Sequence, residues 1–234
     1  MVLNTSDGLQ FERIAALEPD LIVGTNAGLD KADYDRLSAI APTIAHGADG
    51  SLYFQPWDSG AMMIGRAPGK EAEMRALVDE IKGRFARAAE EHPEFADATA
   101  VFLQNAIYEG RAIAYQDGLS TAFLTDLGFS TLPGLDRYSQ HGGQAYIPVE
   151  RLSILDGADV LLWATEKPSD RTALEEVPLF QRLEEVREGR LVFTDGVTAG
   201  AIYFTSVLSL PHVLDRLVPA LASTLAGEGP AVIE

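Results

Sequence analysis

Five short apolar runs, at residues 21–23, 43–45, 99–104, 159–163 and 190–194, alternate with segments whose apolar side chains recur three and four positions apart. Runs of that length are strands, and the segments between them are helices. Strands alternating with helices predict an α/β fold with parallel sheets joined by crossover connections. Phe11, Ile14, Ala15 and Leu17 mark the first helix, which Pro19 and Asp20 stop before Leu21-Ile22-Val23. Asp30 is placed to cap a second helix carrying Tyr34, Leu37 and Ile40, and Pro42 ends it. Met74, Leu77, Ile81, Phe85 and Ala88 then spell out one long helix over 70–89, about 30 Å at the α-helical rise. Further helices are predicted at 120–127, 149–155, 179–186 and 205–221, the last with Pro211 as a kink.

The long helix divides the chain into a first lobe over residues 1–66, a connecting segment over 67–98 and a second lobe over 99–234. Only two strands precede it, so the first lobe is expected to be incomplete and its opening strands to lie ahead of Met1. The loop 46–58 holds Tyr53, Phe54 and Trp57 within five positions, and loops of that kind often carry function.

Charge and cysteine content exclude several classes of partner. There are 35 acidic and 18 basic residues, a formal charge of −17, which repels nucleic acid and anionic lipid. The chain has no cysteine, which removes disulfides, thiolate metal sites and thiol nucleophiles. Gly-x-Gly-x-x-Gly, a Walker lysine motif and Gly-x-Ser-x-Gly are all missing, so the usual nucleotide-binding and hydrolase signatures give no support to an enzyme. No apolar run reaches the roughly 20 residues that span a bilayer, and residues 1–10 lack the charged, apolar and small-residue succession of a secretory signal.

Taken in order, the motifs resemble the class III periplasmic binding proteins, the ferric-siderophore, haem and cobalamin carriers of bacterial ABC importers. The resemblance begins in the run Phe11-Glu12-Arg13-Ile14-Ala15-Ala16-Leu17-Glu18-Pro19-Asp20-Leu21-Ile22-Val23 and continues through Leu37-Ser38-Ala39-Ile40-Ala41-Pro42-Thr43. Pro56-Trp57 and Ile64-Gly65-Arg66-Ala67-Pro68-Gly69-Lys70 resemble the entry to that family's long helix. Leu127-Gly128-Phe129, Val149-Glu150-Arg151-Leu152 and Asp159-Val160-Leu161-Leu162-Trp163 follow in family order, as do Val177-Pro178-Leu179-Phe180 and Gly189-Arg190-Leu191-Val192-Phe193. The closing Leu208-Ser209-Leu210-Pro211-His212-Val213-Leu214-Asp215 leans towards siderophore carriers.

The resemblance implies two Rossmann-like lobes with parallel sheets joined by one long α-helix, and a monomeric carrier that performs no chemistry and needs no cofactor. Its cargo is an iron(III)–siderophore complex held between the lobes, and its partner is the membrane permease of an ABC importer. The location implied is extracytoplasmic, periplasmic or lipid-anchored at the outer face of the membrane, with the signal segment outside this chain. A siderophore fills the coordination of its iron with its own oxygens, so the implied site is made of aromatic walls and a few arginine or amide donors. Tyr53, Phe54 and Trp57 are the ligand-binding candidates from the first half, and Tyr115, Arg137, Tyr138 and Tyr203 those from the second. Glu12 and Glu150 match the two family glutamates that dock on the permease. Haem or cobalamin as cargo stays open, and so does direct capture of a divalent ion by His46, His141 and His212.

Overall fold

All five apolar runs become strands, and the way each is paired decides which residues meet. The computed structural model describes residues 3, 8–48, 50, 52–139 and 143–233. They form two units, Met1–Ala76 and Leu77–Glu234.

In the first unit, helix α1 (Phe11–Ala15) leads into strand β1 (Ile22–Val23), and helix α2 (Lys31–Ser38) into β2 (Thr43–Ile44). The two strands pair in parallel, Ile22 with Thr43 and Val23 with Ile44. Asp30 caps α2 as its position predicts, its side chain accepting the Asp33 N–H at 2.8 Å. Phe11, Leu29 and Leu37 form the small core, with Ile14, Ile22 and Ile40 packed against them. Helix α3 (Trp57–Arg66) starts inside the end of the 46–58 loop and runs through residues where the sequence predicts no element, with Ala, Met, Met and Ile in succession at 61–64 and Pro56 just ahead of it. Helix α4 (Glu71–Glu91) is the predicted long helix, and the division between the units falls within it.

The second unit is built on a seven-stranded sheet. In chain order its strands are β3 (Thr99–Tyr108), β4 (Arg111–Tyr115), β5 (Ser130–Thr131), β6 (Ala145–Pro148), β7 (Val160–Ala164), β8 (Leu191–Phe193) and β9 (Ala231–Val232). The spatial order is β6-β4-β3-β7-β8-β9, with β5 beside the start of β3. β3, β5, β7, β8 and β9 run parallel; β4, which the sequence does not announce, runs against its neighbours β3 and β6. A tight turn at Glu109 and Gly110, both left-handed, makes the β3–β4 hairpin.

Alternation along the strands gives the sheet two different faces. One buries Val101, Leu103, Ala112, Ala114, Leu161, Trp163, Leu191 and Phe193 beneath Leu135, Leu152, Leu155, Leu174 and Phe180. Most of those cover residues come from the 3-10 turns Leu135–Tyr138, Val149–Gly157 and Phe180–Arg182 and from helix α6 (Pro168–Glu175). The helix predicted at 179–186 is split, since Leu183 adopts an extended conformation between the third of these turns and helix α7 (Glu184–Glu188). Helix α5 (Ala122–Thr125) realises the prediction at 120–127 in shortened form.

Helix α8 (Gly196–Tyr203), also unannounced, is capped by the Asp195 side chain on the Thr198 N–H at 2.7 Å. Helix α9 (Leu210–Leu225) begins later than predicted because the Ser206 and Ser209 hydroxyls bond each other and the backbone, holding the preceding residues in a turn. Pro211 is therefore not a kink: it occupies the first helical turn, where no N–H is needed, and Pro219 is the proline inside the helix.

Glu185 is fully buried on α7, and neither carboxylate oxygen has a hydrogen-bond partner. Burial pushes its carboxyl up to about 7; Asp156 adds to the shift, and Arg190, 3.8 Å away, opposes it. The folded protein thus holds this proton more tightly than the unfolded chain, so the associated stability is full at acid pH and is lost as pH rises through about 7. Thermal unfolding of the protein and of Glu185→Gln across that range tests this. The variant should gain on the parent as pH rises, and an equal difference at acid and alkaline pH would contradict the assignment.

Candidate functional site

β3 and β7 pair in parallel from Ala100 with Val160 up to Gln104 with Ala164, and then part. The next residue of β3, Asn105, is left-handed at φ 49°, and the register with β4 shifts between Gln104 and Tyr108. A left-handed asparagine at a bulge re-aims the strand and opens the carboxyl edge of the sheet. In open sheets that edge is where ligands bind.

Four aromatic rings gather beside this opening. Phe102 and Tyr115 are register partners across β3 and β4, with ring centroids 4.6 Å apart. Tyr203, the last residue of α8, stands 6.1 Å from Phe102 and 6.5 Å from Tyr115, stacked on the latter at 25°. Phe123 of α5 closes the group edge-on to Phe102 at 5.5 Å. The polar ends of the rings are tied down. Tyr203 donates its hydroxyl to the Ala164 carbonyl at 3.1 Å, the last link of β7. The Tyr115 hydroxyl donates to Gln104 Oε1 at 3.1 Å, and Gln144 donates to the same oxygen at 3.0 Å. Burial pushes the Tyr115 phenol up to about 12. Burial also raises Tyr203, helped by Tyr115 and by the Glu166 carboxylate. Both phenols are therefore neutral at ordinary pH; Phe102, Phe123 and Tyr115 are buried, and Tyr203 is the partly exposed ring of the four.

The other predicted residues have different settings. Arg137 and Tyr138 lie in the 3-10 turn over the opposite face of the sheet, where Tyr138 packs on the main core and Arg137 donates Nε to the Gly134 carbonyl at 2.8 Å. In the first unit, Trp57 is buried at the head of α3, Phe54 is half-buried and Tyr53 is exposed. The Tyr53 ring covers Gly28, where a left-handed φ of 68° and the lack of room for a Cβ both require glycine. Gln55 pins the aromatic loop: its N–H donates to Asn26 Oδ1 at 2.7 Å, its Oε1 accepts the Gly47 N–H at 2.5 Å, and its Nε2 donates to Ser59 at 2.6 Å.

Glu12 and Glu150 both stand in the first turns of their elements, exposed, and among the described residues neither is ion-paired. Of the histidines proposed for a bare metal ion, His46 is in the first unit, His212 bonds Thr198 at 3.1 Å in the second, and His141 lies outside the described residues. No group of three or more His, Asp or Glu among the described residues could hold a metal ion. Nor is any described helix long and apolar enough to cross a membrane.

Phenol hydroxyls, amides and aromatic rings at a sheet edge can hold a ligand by shape and neutral hydrogen bonds. The periplasmic binding protein model matches residues 1–198, and the chain belongs to that family, solute-binding proteins rather than enzymes. A periplasmic solute binding protein from Mycobacterium smegmatis is 43% identical, with a TM-score of 0.86 over 96% of this chain and 75% of that one. The iron uptake ABC transporter substrate-binding protein PiaA from Streptococcus pneumoniae is 25% identical, with a TM-score of 0.77 over 96% and 78% of the two chains. FhuD2 from Staphylococcus aureus, solved with bound ferrioxamine B, shares the fold at 19% identity, with a TM-score of 0.71 over 95% and 82%. These are class III folds, as the motif order implies. Among curated proteins there is no match.

Phe102, Phe123, Gln104 and Gln144 belong to this cluster, and the sequence does not single them out. The alternation of Phe102 and Gln104 along β3 carries the signal, but it becomes readable only once Tyr115 is known to pair with Phe102.

The raised phenols can be checked by following phenolate absorbance with rising pH. Of the seven tyrosines, Tyr115 and Tyr203 should still be protonated at about pH 11, where exposed phenols have ionised. A Tyr115→Phe, Tyr203→Phe double variant should therefore gain the same absorbance as the parent up to that pH. A reduced gain in the variant would show that these two rings are solvated.

Proposed function

We propose that this chain is the substrate-binding protein of an ABC importer, a monomer on the extracytoplasmic side that captures a ferric siderophore and delivers it to a membrane permease. The observation that carries this is the wall formed by Phe102, Tyr115 and Tyr203 at the carboxyl edge of β3 and β7, with the Gln104–Gln144 amide pair beside it. Iron enters as cargo, already saturated by the siderophore's oxygens, so the protein supplies shape, apolar contact and neutral hydrogen bonds. Aromatic faces provide the first two at low entropic cost, and hydroxyls and amides provide the last without setting a buried charge against the chelate. PiaA is an iron uptake ABC transporter substrate-binding protein and FhuD2 was solved with bound ferrioxamine B, which agrees with this cargo.

Glu12 and Glu150 are the proposed docking residues. An exposed, unpaired carboxylate is free to meet an arginine on the permease, and electrostatic complementarity of that kind sets partner choice and encounter rate more than affinity.

Trp57 and Trp163 are the two tryptophans whose emission can report binding, because a ferric chelate absorbs in the range of indole emission and quenches by energy transfer without contact. Titration with ferric hydroxamates, ferric catecholates, haem, cobalamin and free divalent ions should give saturable quenching by one ferric siderophore class at about micromolar concentration or below. Saturation by haem, cobalamin or a bare ion alone would overturn the siderophore assignment. Tyr115→Ala should weaken that chelate by about tenfold or more with the fold intact. A Glu12→Ala, Glu150→Ala double variant should keep the chelate affinity of the parent and lose uptake in permease-containing vesicles; undiminished uptake would remove both residues from docking.

A further inference from the structure

The rings that point to a ligand lie on stretches of chain without a fixed positive charge. Residues 37–65, which hold Tyr53, Phe54 and Trp57, contain no Lys or Arg. Residues 112–136 and 191–215, which contribute Tyr115 and Tyr203, contain none either, and the same is true of 88–110 and 138–150, the sources of Gln104 and Gln144. All 18 basic residues fall in the remainder of the chain.

The cations that flank the second unit's stretches are distant or engaged. Arg111 stands at the hairpin end of β4, opposite Tyr108 and Pro148. Four residues of strand put it about 13 Å from Tyr115, beyond the screening length of about 8 Å at physiological salt. Arg137 donates to the Gly134 carbonyl over the other face of the sheet. Arg190 lies at the opposite end of β8, 3.0 Å from Glu188 and 3.8 Å from Glu185.

Negative potential meets the rings instead. Tyr203 ends α8, and a helix carries partial negative charge on the carbonyls of its last turn. The Glu166 and Asp170 carboxylates also act on the Tyr203 phenol and help to raise it. Aromatic faces are themselves electron-rich, attracting cations and repelling anions. The formal charge of −17 extends the same sign over the whole chain.

Ferric chelates differ in charge with their donors. Three hydroxamates bring one negative charge each and neutralise iron(III), whereas three catecholates bring two each and leave a trianion. A trianion brought from water to this setting gives up hydration and finds no counter-charge. A neutral chelate loses far less, and one with an ammonium arm gains from the rings and the helix end.

We propose that the site selects its cargo by charge, taking neutral or cationic ferric chelates of the trihydroxamate kind and rejecting polyanionic tris-catecholates. This rests on the carrier function proposed above and names the class of chelate that function serves.

Three probes test it on the full chain: a neutral ferric trihydroxamate, the same chelate bearing one primary amine, and a ferric tris-catecholate. The first two should bind at least about a hundredfold more tightly than the third, and only the amine-bearing probe should weaken as salt rises. Asp117→Lys reverses a charge in the exposed loop two residues beyond Tyr115, and Gln144→Arg sets a guanidinium beside the rings. Each should raise tris-catecholate affinity about tenfold at low salt, with the gain fading at high salt, while Asp117→Lys leaves the neutral probe unchanged. A tris-catecholate bound by the parent as tightly as the neutral probe overturns the selection and leaves the carrier function standing. So does an amine-bearing probe as weak as the trianion, or no gain for the trianion in either variant. If the parent binds no ferric chelate at all, the carrier function fails and the selection falls with it.

Discussion

The separation of β3 from β7 after Gln104 and Ala164 is the constraint on which the rest of the second unit's site depends. While the strands are paired, every backbone group in the sheet is occupied and the side chains are committed to one buried face or the other. Once Asn105 turns left-handed, the Ala164 carbonyl is free to accept the Tyr203 hydroxyl, and the end of α8 is anchored at the sheet edge. The antiparallel hairpin on the other side of β3 brings Tyr115 opposite Phe102. The aromatic wall is thus a consequence of two pairings of one strand, parallel on one side and antiparallel on the other.

Much of the scaffold was legible because its signals are local. The cap at Asp30, the three- and four-residue spacing that gives α4, and the apolar runs that become β3, β7 and β8 each depend only on nearby residues. The failures are those of non-local or weak local signals. β4 is five residues long, and the turn before it has Glu109 where asparagine or aspartate would have advertised a hairpin. α8 contains Gly196 and Gly200, poor helix formers, and owes its start to the Asp195 cap. α9 starts later than its apolar pattern implies because the Ser206–Ser209 hydrogen bonds hold a turn ahead of Leu210.

The site was legible only in part, for the same reason. Tyr115 and Tyr203 meet ring to ring, whereas Arg137 and Tyr138 lie over the other face of the sheet, a difference that only the strand pairing reveals. Gln104 and Gln144 are 40 residues apart and become partners only through the register of β3, β4 and β6, which no single stretch of sequence encodes. Trp163, at the end of an apolar run, is fully buried against Phe180 rather than turned towards the opening, since its position on β7 falls on the core face.

Neutral phenols, amides and stacked rings suit a ligand that brings its own metal coordination. Crystals grown with a ferric trihydroxamate and measured at the iron absorption edge test it most directly. The anomalous signal should lie over the Tyr115 and Tyr203 rings, with every iron ligand an oxygen of the chelator. Iron found away from that wall, or bonded to a histidine or carboxylate of the protein, would contradict the account.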